Sequence, residues 1–341
     1  MTVELEAYLG AVPDLVAERI AGAREALIVS HENPDADTLG AALGVARIVE
    51  FHGGRATTIC TDPVPPLYDF LPGIEAEKLD PDPATAYDVL VVVDCGTLER
   101  VGDVGRRHAE LFERLPRVII DHHLSNPGSA MPGADWIDPQ SAATCEMVVL
   151  LADRLKVPLG TAGGALATAL MAGIVMDTST FAHSNVTPRT LQVAAALVEV
   201  GAPLSEISRR LYRTKPDGQL RLFGRVLERL ETADGGRVVW SSLLETDLDA
   251  TGTSPADSEG IIDLLSQADA AEVTIIFKEA PGETRISVRT KPGGVDATVL
   301  TGAFGGGGHA RASGATIHLP LDQARPAVLA EASRLAIAVS R

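Results

Sequence analysis

Residues 31–37 (HENPDAD) bring a histidine and two aspartates together within one short segment. Asp35 and Asp37 alternate along the chain, so in an extended segment their carboxylates can point toward two different metal ions. Pro34 disfavours helix at the residue before it and therefore favours an extended loop. Asp37 also lies just before a helical pattern, where aspartate is common as an N-cap. Because His31 accompanies both carboxylates, the segment favours a metal site over a cap alone.

Further candidate metal ligands lie at the ends of apolar runs in the sequence. Asp94 ends the run VLVVVD, and Asp177 ends the stretch LATALMAGIVMD, although loop capping also explains either carboxylate taken alone. Asp121-His122-His123 ends VIID, and two adjacent histidines allow one to bind a metal while the other faces a substrate. Asp121 is suited to accept the second ring N–H of a ligating histidine and so fix its tautomer.

The inventory for metal binding is two histidines and four aspartates, with Asp121 in support. An oxygen-rich set without thiolates favours magnesium or manganese over structural zinc, and Cys95 is interpreted as a small buried filler. One carboxylate bridging two ions about 3.5–4 Å apart is the usual arrangement for in-line displacement at phosphorus. The predicted chemistry is therefore phosphoester hydrolysis with two divalent cations.

Three short apolar runs position these residues: 26–31 (ALIVSH), 88–94 (DVLVVVD) and 117–121 (RVIID). Helical patterns separate the runs, which is typical of buried parallel strands in an α/β domain. Ligands gather at the carboxyl ends of such strands, and each run ends on a residue that can bind a metal. We also expect a helix over roughly 38–51 and a buried helix over the stretch 162–176, which is too short to span a bilayer.

The character of the sequence changes after Gly235-Gly236, where three β-rich runs follow, with a hairpin turn at 279–283, a glycine-rich loop and a final helix. The predicted fold is α/β with two domains. The N-terminal domain has a mainly parallel sheet flanked by helices, and a helical connector leads to a smaller C-terminal α/β domain with a mixed sheet. The helical pattern runs over residues 203–230, with Pro216 as a break. The predicted divisions are residues 1–200 for the metal-binding domain, 201–215 for the connector and 216–341 for the C-terminal domain.

The C-terminal domain carries candidate anion-binding residues. Arg285 and Arg289 share one face of a predicted strand, and two arginines on one face suit a terminal phosphate or carboxylate. A solvated strand face also explains Arg285 taken alone. Gly305 to Gly308 expose N–H groups that a phosphate can approach closely, with a flexible turn as the alternative. The predicted substrate-binding residues are Arg285, Arg289, Lys291, Gly307, Gly308 and His309.

Net charge and cysteine content exclude some classes of protein. A formal net charge of −17 over 341 residues argues against a protein that coats nucleic acid with a basic surface. Cations held by carboxylates would nevertheless supply local positive charge for a phosphate. The three cysteines are widely spaced without a CxxC, which fits a reducing cytoplasm. The N-terminal residues lack the pattern of a secretory signal, so we expect a cytoplasmic protein without a membrane segment.

Four spaced motifs resemble those of the DHH phosphoesterase family, in the family's order: HENPDAD, VVVDCG, DHHLSN and GIVMDTSTF. The segments SVRTK and FGGGGHARASG resemble the DHH-associated C-terminal domain, so the resemblance spans about residues 27–314. Within the family, the chain is most similar to the bifunctional oligoribonuclease and 3′-phosphoadenosine 5′-phosphate phosphatase group. In one departure, Ser179 stands where many relatives carry glycine, which puts the local turn in question.

The resemblance implies how the ligands divide. One metal would lie on His31, Asp35 and Asp94, and a second on Asp37, Asp94, His122 and Asp177, with Asp94 bridging. It also implies that His123 touches the scissile phosphate, so His123 and Asp121 are assigned catalytic roles. The implied cofactors are two divalent cations, with manganese preferred and magnesium or cobalt as alternatives. A homodimer is implied as well.

The implied activity is that of a phosphoesterase acting on short RNA and nucleotides. The substrates would be nanoRNA, pApA and, as in some relatives, cyclic di-AMP, all degraded to nucleoside monophosphates, together with 3′-phosphoadenosine 5′-phosphate (pAp), converted to AMP. A RecJ-like exonuclease and an inorganic pyrophosphatase are alternatives, disfavoured by the short chain and by the GGGH motif respectively. A non-catalytic nucleotide sensor is disfavoured because every expected ligand is present.

Overall fold

The structure is a computed structural model that describes residues 4–124, 126, 128 and 134–339, apart from the side chains of His309 and of residues 337–339. The chain divides into two compact units, Met1–Thr214 and Lys215–Arg341. Both units are α/β, one with a parallel sheet and one with a mixed sheet, which confirms the predicted fold class.

The first unit is built on a five-stranded parallel sheet with the strand order β2-β1-β3-β4-β5. Its helices and strands are α1 Asp14–Gly22, β1 Glu25–Val29, α2 Ala36–Phe51, β2 Arg55–Ile59, β3 Val89–Val93, α3 Asp103–Arg107, α4 Ala109–Arg114, β4 Arg117–Asp121, β5 Asp135–Ile137, α5 Thr144–Arg154, α6 Ala165–Asp177, α7 Pro188–Glu199 and α8 Leu204–Tyr212.

The three predicted apolar runs are the central strands β1, β3 and β4. All five residues of β3 are buried, because helices cover both faces of a parallel sheet. Strand order reverses direction between β1 and β3, and at such a switch point a crevice forms beyond the carboxyl ends of the strands. The loops that follow β1, β3 and β4 all open at this edge.

Helix α6 is a buried core helix, as its composition predicts, and it packs against α2 and α5. It begins at Ala165, later than the expected residue 162, because Ala162, Gly163 and Gly164 have positive φ angles. Gly173 allows the close approach: a Cβ there would lie 2.5 Å from Oδ1 of Asp37 and 2.4 Å from the Cys145 sulfur. Only a residue without a side chain fits between α6 and these two residues. Among the described residues no single helix is long and apolar enough to cross a membrane, and only the bent pair α7 and α8 meets the length and composition criteria together.

The second unit contains a six-stranded mixed sheet with the order β10-β11-β9-β8-β7-β6, in which β7 and β8 are parallel. Its elements are α9 Asp217–Glu228, β6 Glu231–Ala233, β7 Val238–Leu243, α10 Glu245–Thr251, α11 Ile261–Leu265, β8 Val273–Ala280, β9 Glu283–Thr290, α12 Ala297–Gly302, β10 Gly307–His309, β11 Ala312–Ile317 and α13 Leu321–Val339. One sheet face packs on α12 and α13, and the other packs in part on α9 and α11.

Candidate metal centre

All six predicted metal ligands lie at the carboxyl edge of the parallel sheet. They come from the loop after β1, the start of α2, the ends of β3 and β4, and the end of α6. Among the described residues, ligand atoms within 4.8 Å of one another form one group of His31, Asp35 and Asp94 and a second group of Asp37, His122 and Asp177. A third group, of Asp94, His122 and His123, connects these two through Asp94 and His122.

The first group is centred on Nε2 of His31. This atom lies 3.8 Å from Oδ2 of Asp35 and 3.5 Å from Oδ2 of Asp94. The other ring nitrogen, Nδ1, lies 2.7 Å from the carbonyl oxygen of Glu32 and is assigned as the donor. That hydrogen bond leaves Nε2 unprotonated toward the two carboxylates, as a ligating histidine requires.

The second group is centred on Nε2 of His122. It lies 3.1 Å from Oδ2 of Asp177, 3.5 Å from Oδ1 of Asp94 and 4.0 Å from Oδ2 of Asp37. Asp94 therefore presents one carboxylate oxygen to each group. A shared carboxylate of this kind is what a pair of neighbouring cations requires.

The ligand Asp94 and Asn33, which lies between the ligands His31 and Asp35, adopt left-handed backbone conformations. Asp94 has a φ of 56° and Asn33 a φ of 52°. The expectation of an extended loop before Asp35 is therefore wrong at Asn33, although the residue does avoid right-handed helix as the following proline dictates. Asparagine and aspartate tolerate this conformation better than most residues, and such backbone strain concentrates at functional sites.

Capping and metal binding are compatible at the start of α2. The N-cap is Asp35, whose Oδ1 accepts hydrogen bonds from the N–H groups of Asp37 and Thr38. Its second oxygen, Oδ2, faces His31. The cap thus holds the carboxylate in place, so the two explanations offered by the sequence are complementary.

The N-terminus of α5 supports both groups, a role that sequence reasoning missed. The N–H groups of Thr144 and Cys145 donate to the two carboxylate oxygens of Asp37, at 2.7 and 2.9 Å. The Thr144 hydroxyl donates to Oδ1 of Asp94 at 2.9 Å. Burial raises the pKa of Asp37, and the N-terminus of α5, which favours negative charge, offsets part of that effect. The residues lie in SAATC, an unremarkable polar segment before a helical pattern, and their sequence gave no sign of this role.

The carbonyl oxygen of Ser141 lies 3.3 Å from Nδ1 of His122 and fixes the tautomer of this histidine, which leaves Nε2 to face the carboxylates. Arg189 supports this loop, donating to the Ser141 hydroxyl at 2.7 Å and to Oδ2 of Asp138 at 2.9 Å. Its Nε donates to the buried carboxylate of Glu146 at 2.6 Å. The buried charge of Glu146 requires a partner, and Arg189 provides it. This pair holds in place the segment around Ser141, whose carbonyl oxygen orients His122.

Asp121 supports His123 rather than the ligating His122. Its Oδ1 lies 2.7 Å from Nδ1 of His123, and its Oδ2 accepts a hydrogen bond from Asn126 at 2.7 Å. Burial alone would raise the pKa of Asp121, but these hydrogen bonds outweigh burial and hold the pKa below its usual value. His123 is one-third exposed, so its Nε2 is the ring nitrogen left for a substrate.

The electrostatics of the cluster fit bound cations. Burial, together with the charges of neighbouring carboxylates, raises the pKa of Asp94 well above its usual value and that of Asp177 to about 7. Burial would lower the pKa of His122, but the hydrogen bond with Asp177 and the charge of Asp37 raise it to about 9. Four carboxylates crowded in a buried crevice repel one another, and hard divalent cations relieve that repulsion. The donor set therefore fits such ions.

The predicted cations of the second unit are partly engaged within the chain. Arg285 and Arg289 share one face of β9 with Ser287, as predicted, and pair with Glu283 at 2.9 Å and Asp263 at 3.1 Å. The Lys291 ammonium donates to the backbone carbonyls of Ala268 and Asp269 at 3.1 and 2.7 Å, which gives it a role within the fold.

The glycine-rich segment includes strand β10, which pairs with β11, so a flexible turn does not describe residues 307–309. A Cβ at Gly308 would lie 2.7 Å from the carbonyl oxygen of Ala312, so this glycine is required by the chain's own packing. Gly307 has open space around its Cβ position, which leaves room for a ligand. The side chain of His309 lies outside the part of the chain that the structure describes.

Both parts of the chain are similar to known protein domains. The DHH family N-terminal domain matches residues 25–174, and the DHHA1 domain matches residues 236–338. A Thermus thermophilus protein named bifunctional oligoribonuclease and PAP phosphatase NrnA is 34% identical over 308 residues, covering 89% of this chain and 87% of that protein. A Listeria monocytogenes protein named cyclic-di-AMP phosphodiesterase PdeA is 24% identical over 318 residues, covering 87% of this chain and 45% of that protein.

A crystal structure of an exopolyphosphatase-related protein from Bacteroides fragilis has the same fold over the whole of both chains, with a TM-score of 0.85 at 21% identity. Fold and sequence therefore agree, and the chain belongs to the DHH family, with a DHHA1 domain at its C-terminal end.

Proposed function

We propose that this chain is a metal-dependent phosphoesterase that degrades very short oligonucleotides to nucleoside monophosphates and dephosphorylates pAp to AMP. nanoRNA and pApA are the proposed oligonucleotide substrates, and cyclic di-AMP is a further candidate. The names of the T. thermophilus and L. monocytogenes relatives support this range of substrates. A RecJ-like exonuclease, an inorganic pyrophosphatase and a nucleotide sensor are the alternatives that the experiment below must exclude.

The position of Asp94 is the observation that carries the proposal. Its Oδ2 faces His31 and its Oδ1 faces His122, each at 3.5 Å. His31 and Asp35 lie on one side of Asp94. On its other side lie Asp37, His122 and Asp177. We assign one cation to each side, with Asp94 shared and manganese preferred over magnesium or cobalt. When bound, the two cations would lower the pKa of an attacking water and offset the charge on the phosphoryl oxygens.

His123 is proposed to contact the phosphate that is cleaved. Its Nδ1 is held by Asp121, so Nε2 is directed away from that carboxylate and is available to a phosphoryl oxygen. From this position Nε2 would contact a phosphoryl oxygen as negative charge builds on the phosphoryl oxygens. Asn126 holds the second oxygen of Asp121 and keeps the pair aligned.

The remaining predictions complete the proposal. Residues 1–200 would form the catalytic domain, 201–215 the connector and 216–341 the substrate-binding domain, in which Arg289, Gly307, Gly308 and His309 recognise one end of the nucleotide. A fixed pocket for that end would favour very short substrates. The cytoplasmic location and the homodimer stay predictions from the sequence.

A product-resolved assay tests the proposal. The full-length protein is incubated with manganese and, in separate reactions, with pAp, pApA, a 20-nucleotide RNA, cyclic di-AMP and pyrophosphate, and a parallel series contains EDTA. We expect AMP from pAp and pApA only with metal, and little product from long RNA or pyrophosphate. Preferred turnover of long RNA would favour the exonuclease, preferred turnover of pyrophosphate the pyrophosphatase, and binding without turnover the sensor.

A further inference from the structure

Lys278, on strand β8, is a cation that the sequence did not single out. In the antiparallel pair of β8 and β9, Lys278 lies directly opposite Arg285. Arg289 follows Arg285 by four residues along β9 and therefore lies on the same face of the sheet. Side chains directly opposite one another on adjacent strands lie close together. Lys278, Arg285 and Arg289 are thus three cations on a single face of the second unit.

Lys278 differs from the two arginines in lacking an ion pair. Arg285 pairs with Glu283 and Arg289 with Asp263, whereas no carboxylate of the described residues lies within 4.0 Å of the Lys278 ammonium. Lys278 is also only partly exposed. Burial lowers its pKa, and the charges of Arg289 and Arg285 lower it further, against the opposing charge of Glu259. A half-buried ammonium that no carboxylate contacts directly is unfavourable, and a bound anion would relieve that cost.

The surroundings of Lys278 suit a phosphate with two negative charges. Ser287 lies on the same face of β9 between Arg285 and Arg289, and its partly buried hydroxyl can donate a hydrogen bond. Asp263, which pairs with Arg289, is more than half exposed, so an incoming phosphate can displace it at small cost. Ammonium, hydroxyl and guanidinium groups together match the oxygens of a phosphomonoester.

We propose that Lys278, with Ser287 and Arg289, forms a site that binds the terminal phosphomonoester of the substrate and so selects 5′-phosphorylated dinucleotides over unphosphorylated ones. This inference rests on the proposed function and adds to it the residue that recognises the terminal phosphate of the substrate. A terminal phosphomonoester carries up to two charges, whereas an internal phosphodiester carries one, so an unpaired lysine beside an arginine discriminates between them by charge.

Hydrolysis of a matched pair of dinucleotides provides the test. Values of kcat/KM for pApA and ApA are measured with manganese for the wild type, Lys278→Met, Lys278→Arg and Lys78→Met. Lys78 is a matched control because it is exposed and its backbone pairs with Thr58 and Cys60 in the first unit. The wild type should prefer pApA, and Lys278→Met should lose about tenfold or more of that preference through a higher KM for pApA, with ApA unchanged.

Lys278→Arg should keep most of the preference because it keeps the charge, and Lys78→Met should keep all of it. A wild type without preference, an unchanged ratio in Lys278→Met, or an equal loss on both substrates would each overturn the inference. Circular dichroism of Lys278→Met should show native folding, since the substitution removes an unpaired charge and retains the aliphatic stem.

Binding without metal separates this inference from the proposed function. AMP is titrated by calorimetry into the full-length wild type and Lys278→Met proteins in EDTA, with adenosine as the ligand without phosphate. We expect Lys278→Met to weaken AMP binding about tenfold and to leave adenosine binding unchanged. If the wild type hydrolyses neither dinucleotide, the proposed function fails, and this titration alone decides the phosphate site. Equal AMP affinities in the two proteins would overturn it.

Discussion

The hydroxyl of Thr144 donates a hydrogen bond to Oδ1 of Asp94, at 2.9 Å, and the backbone N–H of the same residue donates to Oδ2 of Asp37, at 2.7 Å. Thr144 therefore orients the shared carboxylate and a ligand of the second group at once. Both contacts arise because α5 begins at this residue and directs its N-terminus at the cluster. The geometry of the metal centre thus depends on where one helix starts.

Thr144→Val should weaken metal binding while keeping the fold. Valine has nearly the shape of threonine and retains the backbone N–H to Asp37, but Oδ1 of Asp94 loses its hydroxyl donor. Loss of such a supporting contact typically costs 10- to 100-fold in metal affinity or activity, and we expect about tenfold in the Kd for manganese. Calorimetric titration of manganese measures it. Thr144→Ser restores a hydroxyl and should recover most of the affinity, and an unchanged Kd in Thr144→Val would contradict this role.

Asp94→Asn should abolish metal-dependent hydrolysis, with a loss of at least about a hundredfold, because it removes the charge that two cations share. Asparagine tolerates the positive φ at this position, so the backbone should persist. In EDTA the variant should unfold at a temperature no lower than that of the wild type, since it removes a carboxyl whose ionisation is opposed by burial and by neighbouring carboxylates. Assays of pApA hydrolysis and thermal unfolding check both outcomes. Retained hydrolysis would refute the bridging role.

Ser179→Gly should stabilise the protein. Ser179 begins a run of three residues with positive φ, followed by Thr180 and Phe181, so the turn expected of glycine forms with serine in it. Relief of this strain outweighs the added freedom of the unfolded chain, and we expect a gain of about 0.5–1 kcal/mol in the free energy of unfolding by urea. Ser205→Gly, at an exposed position within α8, should instead destabilise by about 0.5 kcal/mol. If both variants changed the free energy of unfolding in the same direction, the backbone strain inferred at Ser179 would be contradicted.

Glu77→Gln should change how stability depends on pH. Burial raises the pKa of Glu77 to about 7, and the neighbouring Thr58 side chain opposes only part of this shift. Because the folded state binds this proton more tightly than the unfolded state, the favourable contribution is present below about pH 4.5 and is lost as pH rises through 7. Glutamine does not titrate, so the variant should be more stable than the wild type by about 1–2 kcal/mol at pH 8 and nearly equal to it at pH 5. Urea unfolding at both pH values measures this, and a difference independent of pH would contradict it.

The ligand residues could be predicted from the sequence because each follows a pattern that is local. The strand β3 is a continuous apolar run that ends next to Asp94, and α6 is a continuous apolar stretch that ends at Asp177. A charged residue directly after a fully buried element must lie at its rim, so residue type and position along the chain are enough to select it. The strand face shared by Arg285 and Arg289 follows from the same kind of reasoning, through the two-residue period.

Which residues support the ligands could not be predicted, since these contacts join distant parts of the chain. Asp37 and Thr144 are 107 residues apart, and His122 and Ser141 are 19 residues apart. A backbone carbonyl or a helix N-terminus has no residue type that marks it as a partner, so only packing reveals it. For the same reason the sequence assigned Asp121 to a ligating histidine, whereas the turn after β4 brings its carboxylate to His123.

Sequence by itself determined the chemical groups, their order along the chain and the strand ends that carry them, because apolar periodicity and residue type are properties of the chain. Tertiary structure decided how those groups combine: which oxygen of Asp94 faces which histidine, that Asp35 both caps α2 and faces His31, and that Lys278 lies opposite Arg285 and forms no ion pair with a described carboxylate. The physical reason is that strand order, register and the close approach permitted at Gly173 set distances between residues far apart in sequence. Metal binding and anion binding depend on those distances.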